Sequence, residues 1–345
     1  MKKTIVFNDR GLTGLNNIAN TCYINTCCHL LSATLPLSYY FLSDMYLDNT
    51  KKDYDNQLLI EWVKLLKEIW NENQVITPHP FYKSLLHRVI KIDKCLERFM
   101  PNTHQDLNEF FVFFLDYIHE ALSKEVEIIV NGEVKNTRDK IALDAIKYWK
   151  TCFEKQYSII IELFYGQFIS ITSCPECSYF YNNYEPFNNI NLPIPGNIET
   201  PTIYHCLDLL TENEILDIDN KWKCDKCQVY QKAQKKILFW KTPNILVIFF
   251  NRFRDNKLSL LIDFPIYNLD IGKYCFNYSN EKHLYNLYGI GNYFGNGMGG
   301  HYTSIIKNKN SKWYHIDDNT INELDENTII NNRKYAYCLF YQKIT

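Results

Sequence analysis

An α+β fold is predicted by three observations. Helical periodicity dominates the first half of the 345-residue chain, short β-branched and aromatic runs dominate the second, and two C-x-x-C pairs sit among those runs. A helical lobe followed by antiparallel strands places a cleft between the two halves.

From Thr21 through Leu31 the pattern is helical, with Asn20 or Thr21 available as N-cap. Leu58 to Trp70 carries an amphipathic stripe at helical period, and Asp106 to Ala121 repeats it. Asp144 to Cys152 is a further helix candidate, and the polar residues 123–140 read as an exposed connection. From about Ile159 the runs Ile159–Phe164, Gly166–Thr172, Ile237–Trp240, Ile245–Asn251, His301–Ile306 and Trp313–Ile316 read as strands. No internal repeat is visible beyond the duplicated C-x-x-C.

With 46% hydrophobic and 15% aromatic residues, the chain can bury a large core. A net charge of -2 argues against nucleic acid or an anionic membrane as the main partner. The apolar part of the opening Met-Lys-Lys-Thr-Ile-Val-Phe is too short for a signal peptide, and Ile245–Phe250 is far short of a membrane span. A soluble monomer is expected. Twelve cysteines in so long a chain, four of them at metal spacing, fit a reducing cytoplasm or nucleus better than a secreted disulfide scaffold.

Cys22 opens its predicted helix, where unpaired backbone N–H groups and the helix dipole stabilise a thiolate. Most free cysteines are small buried hydrophobes, and Cys27 and Cys28, deeper in the helix, fit that description. Cys22 differs because Asn17, on the loop before it, can place an amide donor beside the thiol. With a backbone N–H it makes an oxyanion hole for a tetrahedral intermediate, a donor worth about 2.7–4 kcal/mol in hydrolases.

Six of the twelve glycines stand at Gly289, Gly291, Gly295, Gly297, Gly299 and Gly300, ending at His301. They read as a mobile loop beside a narrow channel. The segment from His301 through the polar turn Lys307–Lys312 to Trp313-Tyr-His-Ile-Asp-Asp reads as a β-hairpin. A midpoint near Lys309 sets His301 opposite Asp317, close enough for the carboxylate to orient the imidazole as in serine-type triads. Asp318 would then point to the other face and is the secondary candidate, reached if a bulge intervenes. His315 is a rival base, read as a surface strand residue.

Cys174-Pro-Glu-Cys177 and Cys224-Asp-Lys-Cys227 form two knuckles separated by 46 residues. Four thiolates suit tetrahedral Zn²⁺, and a closed set is structural rather than catalytic. Nucleic-acid-binding zinc ribbons compete, but the flanks Phe180–Pro195 and Leu207–Asn220 are acidic and aromatic rather than basic.

Taken together, these residues resemble a ubiquitin-specific protease, a cysteine deubiquitinase of papain-like fold, over about Gly11 to Gln342. The family's first box appears as Gly14-Leu-Asn-Asn17-Ile-Ala19-Asn-Thr-Cys22-Tyr23-Ile-Asn25, and a second as Gln105-Asp106-Leu-Asn108-Glu109-Phe110. Phe164-Tyr-Gly-Gln-Phe running to Cys174-Pro-Glu-Cys177, with Leu192-Pro-Ile-Pro195, is similar to the start of its fingers. Pro243-Asn-Ile-Leu-Val-Ile, Arg252-Phe253, Phe264-Pro265 and Tyr288-Gly-Ile match its palm, and Gly300-His301-Tyr302-Thr303 and Ala336-Tyr-Cys-Leu-Phe-Tyr341 close the set.

The resemblance implies one catalytic domain over 11–343 with three parts. These are an α-helical thumb (about 11–155), zinc-stabilised fingers (about 165–240) and an antiparallel β palm (about 156–170 and 241–343). It implies hydrolysis of the isopeptide or peptide bond after ubiquitin's C-terminal glycine, with Cys22 as nucleophile, His301 as base and acid, Asp317 orienting His301, and Asn17 in the oxyanion hole. Asp106 and Glu109 match positions that recognise the arginine-bearing tail, beside Gly299, Gly300 and Tyr302. The glycine segment before His301 corresponds to a loop that gates the tail channel.

Three residues depart from the pattern. Ala19 replaces the box glycine, at a cost of about 1 kcal/mol or more if the position needs positive φ. His29 stands where the family usually has glutamine, and Phe250-Asn251 precedes Arg252-Phe253 in place of more typical residues. The alternatives to an active deubiquitinase are a catalytically feeble ubiquitin-binding scaffold of the same fold and a protease for a related ubiquitin-like modifier.

Overall fold

The architecture follows from how the apolar faces of a few helices are covered. The structure is a computed structural model and describes residues 7, 9–92, 99–216, 222–253, 260–278, 281–295, 299–331 and 333–344. Its helices are α1 (Cys22–Ala33), α2 (Leu35–Leu42), α3 (Gln57–Ile69), α4 (His79–Ile92), α5 (Leu107–Leu122), α6 (Thr137–Phe153), α7 (Ile159–Phe164), α8 (Ile203–Leu210) and α9 (Glu326–Asn331). None among the described residues is long and apolar enough to cross a membrane.

Helix α5 is the pivot of the helical lobe. Asp106 caps it, its Oδ1 accepting from the N–H groups of Asn108 (2.7 Å) and Glu109 (3.2 Å). The stripe Phe110, Phe111, Phe114 and Leu115 is fully buried. Phe111 reaches across to Phe249 and Phe340 of the β lobe, ring centroids 5.7 and 5.5 Å away, so truncating it would cost about 3–5 kcal/mol.

The strands are β1 (Gly14–Leu15), β2 (Val75–Ile76), β3 (Gly166–Ser173), β4 (Phe180–Phe187), β5 (Ile190–Leu192), β6 (Glu214–Ile215), β7 (Trp222–Lys223) and β8 (Tyr230–Gln231), followed by β9 (Gln234–Lys241), β10 (Ile245–Phe250), β11 (Leu269–Asp270), β12 (Leu284–Gly295), β13 (Gly300–Lys307), β14 (Trp313–Asp317), β15 (Thr320–Leu324) and β16 (Ala336–Lys343). The larger sheet runs β15-β14-β13-β12-β16-β10-β5, with β11 beside β12. It is antiparallel except at β5–β10. One face packs on the thumb helices, and the other on a second core that includes Phe239, Ile262 and Phe264. A separate sheet runs β4-β3-β9-β6, and β7–β8 form a short two-stranded ribbon of their own. The mixed helical and antiparallel architecture is the predicted α+β class.

Several local expectations are corrected. Ile159–Phe164 is helix α7 rather than a strand, because Ser158 caps it and its apolar side chains meet the thumb. Helix α6 starts seven residues before Asp144, where Asn136 and Asp139 form a capping box. The exposed connection is correspondingly shorter. Gly289, Gly291 and Gly295 belong to strand β12, not to a loop. A Cβ at Gly289 would lie 2.8 Å from the Leu30 side chain, and one at Gly291 would lie 2.5 Å from Cys338 Sγ, so these glycines let α1 and the neighbouring strand approach the backbone. Gly297 lies outside the described residues.

The β13–β14 hairpin turns about Asn310, not Lys309. Ser304 pairs with Ile316 and Lys307 with Trp313. The turn is closed by Asn308 N–H to Lys312 O (2.9 Å) and stiffened where Lys309 and Lys312 N–H groups donate to the side chains of Asn308 and Asn310. The register therefore moves by two residues, which keeps His301 and Asp317 on one face but makes them diagonal neighbours.

Candidate active site

Cys22 is the first residue of α1 and is 5% exposed. Thr21 precedes it without capping the helix through its side chain; its Oγ1 accepts instead from Ile18 N–H at 2.8 Å. The turn before the helix is left-handed at two successive residues, Ala19 (φ 60°) and Asn20 (φ 69°). The box position held by alanine is thus one at which glycine is unstrained.

His301 enters from β13, where it pairs with Phe294 of β12. Its Nε2 lies 2.6 Å from Asp317 Oδ1 and 3.9 Å from Asp318 Oδ2. The imidazole is pushed up to about 9, first by its hydrogen bond with the Cys22 side chain and then by Asp317, with burial opposing. Raised from 6.5, it holds its proton through neutral pH, the partner state a thiolate needs.

Asp318 does not project to the opposite face. It leaves the strand in a left-handed conformation (φ 49°), and its carboxylate turns back to the thumb. Oδ2 accepts from Asn17 Nδ2 at 2.9 Å and Oδ1 from Asn25 Nδ2 at 2.8 Å. Asn17 Oδ1 in turn accepts from Thr21 N–H at 2.9 Å. One amide proton of Asn17, on the loop that leads into Cys22, is therefore held by Asp318. His315 is half-buried rather than on the surface, its Nε2 3.0 Å from Thr303 Oγ1, and burial lowers its basicity.

A cavity of about 190 Å³ leads to Cys22 and is lined by Asp106, Gly299, Gly300, Tyr302 and His104. A Cβ at Gly300 would lie 2.4 Å from the Tyr293 ring, and one at Gly299 would lie 2.9 Å from His104 Nε2, so neither position has room for a side chain. Asp106 borders it, but its carboxylate is engaged as the α5 cap and by Tyr337 Oη at 2.7 Å. Glu109 faces the next groove along α5, with Asp106, Asp116 and Glu120. The sequence reading passed over Asn25, His104 and Tyr337. Asn25 had a signal, since it lies one helical turn beyond Cys22 inside the quoted box, whereas Tyr337 is 231 residues from Asp106 and had none.

Cys174, Cys177, Cys224 and Cys227 bring four sulfurs within 4.8 Å of one another. Sγ separations are 3.8 Å for Cys174–Cys227 and 3.7 Å for Cys177–Cys224. Tetrahedral coordination at about 2.3 Å per Zn–S bond gives edges of about 3.8 Å, so the cluster has the size of a closed metal site. Cys174 and Cys224 are buried, and the other two are half-buried.

The ubiquitin carboxyl-terminal hydrolase family model matches residues 13–341. Ubiquitin carboxyl-terminal hydrolase Usp2 of Drosophila melanogaster is 33% identical over 96% of this chain, which spans 35% of that protein. Ubiquitin carboxyl-terminal hydrolase 2 of Homo sapiens is 30% identical over 96% of the chain, which spans 55% of it, and that of Gallus gallus is 32% identical with 96% and 94% covered. The chain thus spans between about a third and nearly all of these relatives' lengths. Among solved structures, the SAGA Ubp8/Sgf11/Sus1/Sgf73 DUB module bound to ubiquitin aldehyde contains a chain that superposes with a TM-score of 0.76 at 24% identity, covering 99% of this chain and 72% of that one, a likeness of fold. The chain belongs to the ubiquitin carboxyl-terminal hydrolase family, among its ubiquitin-specific proteases.

Proposed function

We propose that the protein is a thiol-dependent deubiquitinase that hydrolyses the isopeptide or peptide bond after the C-terminal glycine of ubiquitin. The observation that carries the reading is the meeting of Cys22, at a helix start, with a His301–Asp317 pair beside a channel lined by Gly299 and Gly300. Cys22 attacks the glycine carbonyl as thiolate. The oxyanion is held by Asn17 Nδ2 and the backbone N–H at the start of α1. His301 gives its proton to the departing lysine amine, leaving a thioester, then deprotonates the water that releases ubiquitin. Asp317 orients the imidazole, and Asp318, the secondary candidate, lies 3.9 Å from His301 Nε2 and is held toward Asn17 and Asn25.

Residues 11–343 act as one catalytic unit, a reading supported by the family match over residues 13–341, and as a monomer toward ubiquitin. Ubiquitin's globular body lies on the groove lined by Phe168, Asn183, Glu185 and Trp222, and its tail passes Glu109 in the α5 groove and Asp106, which borders both cavities, before Gly299, Gly300 and Tyr302 lead it to Cys22. The four thiolates hold Zn²⁺, which ties the fingertips and takes no part in chemistry; Sγ spacing supports that assignment. The described cysteines are all free, which suits a cytoplasmic or nuclear setting. The test is release of a fluorophore from ubiquitin carrying it as a C-terminal amide. Wild type turns over, Cys22→Ala does not, and persisting turnover in the variant would overturn the assignment.

A further inference from the structure

Asn25 is 1% exposed and sits three residues after Cys22 on α1. Its Nδ2 donates to Leu15 O at 3.1 Å and to Asp318 Oδ1 at 2.8 Å. Its Oδ1 is buried with no protein partner among the described residues. An orphaned buried acceptor costs about 1–3 kcal/mol, so what the side chain contributes here comes through its donors.

Those donors join three separate pieces of the site. Asp318 follows Asp317, the partner of His301, and is bent out of the strand. Asn25 fastens its Oδ1, and its Oδ2 receives Asn17 Nδ2. Asn17 closes the ring on Thr21 N–H, next to Cys22. We infer that Asn25 is a positioning residue for the hydrolysis: through Asp318 it fixes the Asn17 amide that receives the oxyanion, while Asp317 separately serves the imidazole. The inference rests on the deubiquitinase reading. Without Asn25, Asp318 Oδ1 loses its donor and the carboxylate can turn toward His301 Nε2, 3.9 Å from its other oxygen. The Asn17 amide then loses its fixed direction, but the thiolate–imidazolium pair remains.

Two reactions of the same thiol separate these effects. Alkylation of Cys22 by iodoacetamide develops no oxyanion, whereas hydrolysis of a ubiquitin C-terminal amide does. Asn25→Ala is expected to lower kcat roughly 10- to 100-fold, part of the ~10²–10³ effect of removing an oxyanion donor, with KM and the alkylation rate within about twofold of wild type. Asn25→Asp sets two carboxylates face to face. Its kcat deficit should shrink as pH falls, because a shared proton restores a donor to Asp318. Parallel loss of alkylation and hydrolysis, an unchanged kcat in Asn25→Ala, or a pH-independent deficit in folded Asn25→Asp overturns the inference. If Asn25→Ala does not fold, the pH profile of Asn25→Asp decides alone. Absent wild-type turnover with a reactive Cys22 overturns the deubiquitinase reading and this inference with it.

Discussion

His29 is 1% exposed, and neither ring nitrogen has a hydrogen-bond partner among the described residues. Burial lowers its pKa from 6.5 to about 4. Below pH 6.5 the unfolded chain takes up a proton that the folded chain refuses until about pH 4. Stability from the neutral ring is therefore complete above pH 6.5 and is lost as pH falls through that window. Between about pH 7.5 and about pH 5 the loss is about 2 kcal/mol, at about 1.4 kcal/mol per pH unit below 6.5. A chain of 345 residues unfolds with an entropy of about 0.7 kcal/mol/K, so this equals a fall in Tm of about 3 °C. Differential scanning of wild type and His29→Gln at both pH values isolates the term, because every other titrating group is common to the two. Wild type should lose about 3 °C more than the variant on acidification. Equal losses would refute the neutral, unpartnered histidine.

Ala19→Gly relieves about 1–2 kcal/mol of left-handed strain but adds about 0.4–1 kcal/mol of unfolded-chain entropy, so urea unfolding should show a net gain of about 0.5–1 kcal/mol. A loss would mean that the loop does not strain alanine. Asp317→Ala removes the second-largest support of the raised His301 pKa, after Cys22, so the basic limb of kcat/KM should move to lower pH. A limb that stays in place would count against Asp317 as the orienting acid. The double variant Cys174→Ser with Cys227→Ser should lose bound zinc by elemental analysis and melt earlier. Retained metal or full stability would remove zinc from the account.

Much of the site was legible because its residues lie in short local patterns. Cys22 at a helix start, His301 beside glycines and the paired knuckles are all statements about near neighbours in sequence. What failed was detail set by side-chain contacts within turns or by tertiary packing. The hairpin register depended on Asn308 and Asn310 tightening the turn, and Asp318 was misdirected because strand alternation ends where its φ becomes positive. Gly289 and Gly291 looked like a flexible segment, yet they are strand positions thinned to admit Leu30 and Cys338, contacts that no local pattern records. Ile159–Phe164 shows the remaining ambiguity: a short apolar run fits strand or buried helix, and here the Ser158 cap decides.

The central claim is that Cys22 is a nucleophile aimed at the C-terminus of ubiquitin. It is tested most directly by mixing the protein with ubiquitin bearing a thiol-reactive group at its C-terminus and weighing the product intact. The account predicts one ubiquitin adduct on wild type, located at Cys22, and none on Cys22→Ala. A folded, zinc-loaded wild type that forms no adduct, or an adduct that survives in Cys22→Ala, would contradict it.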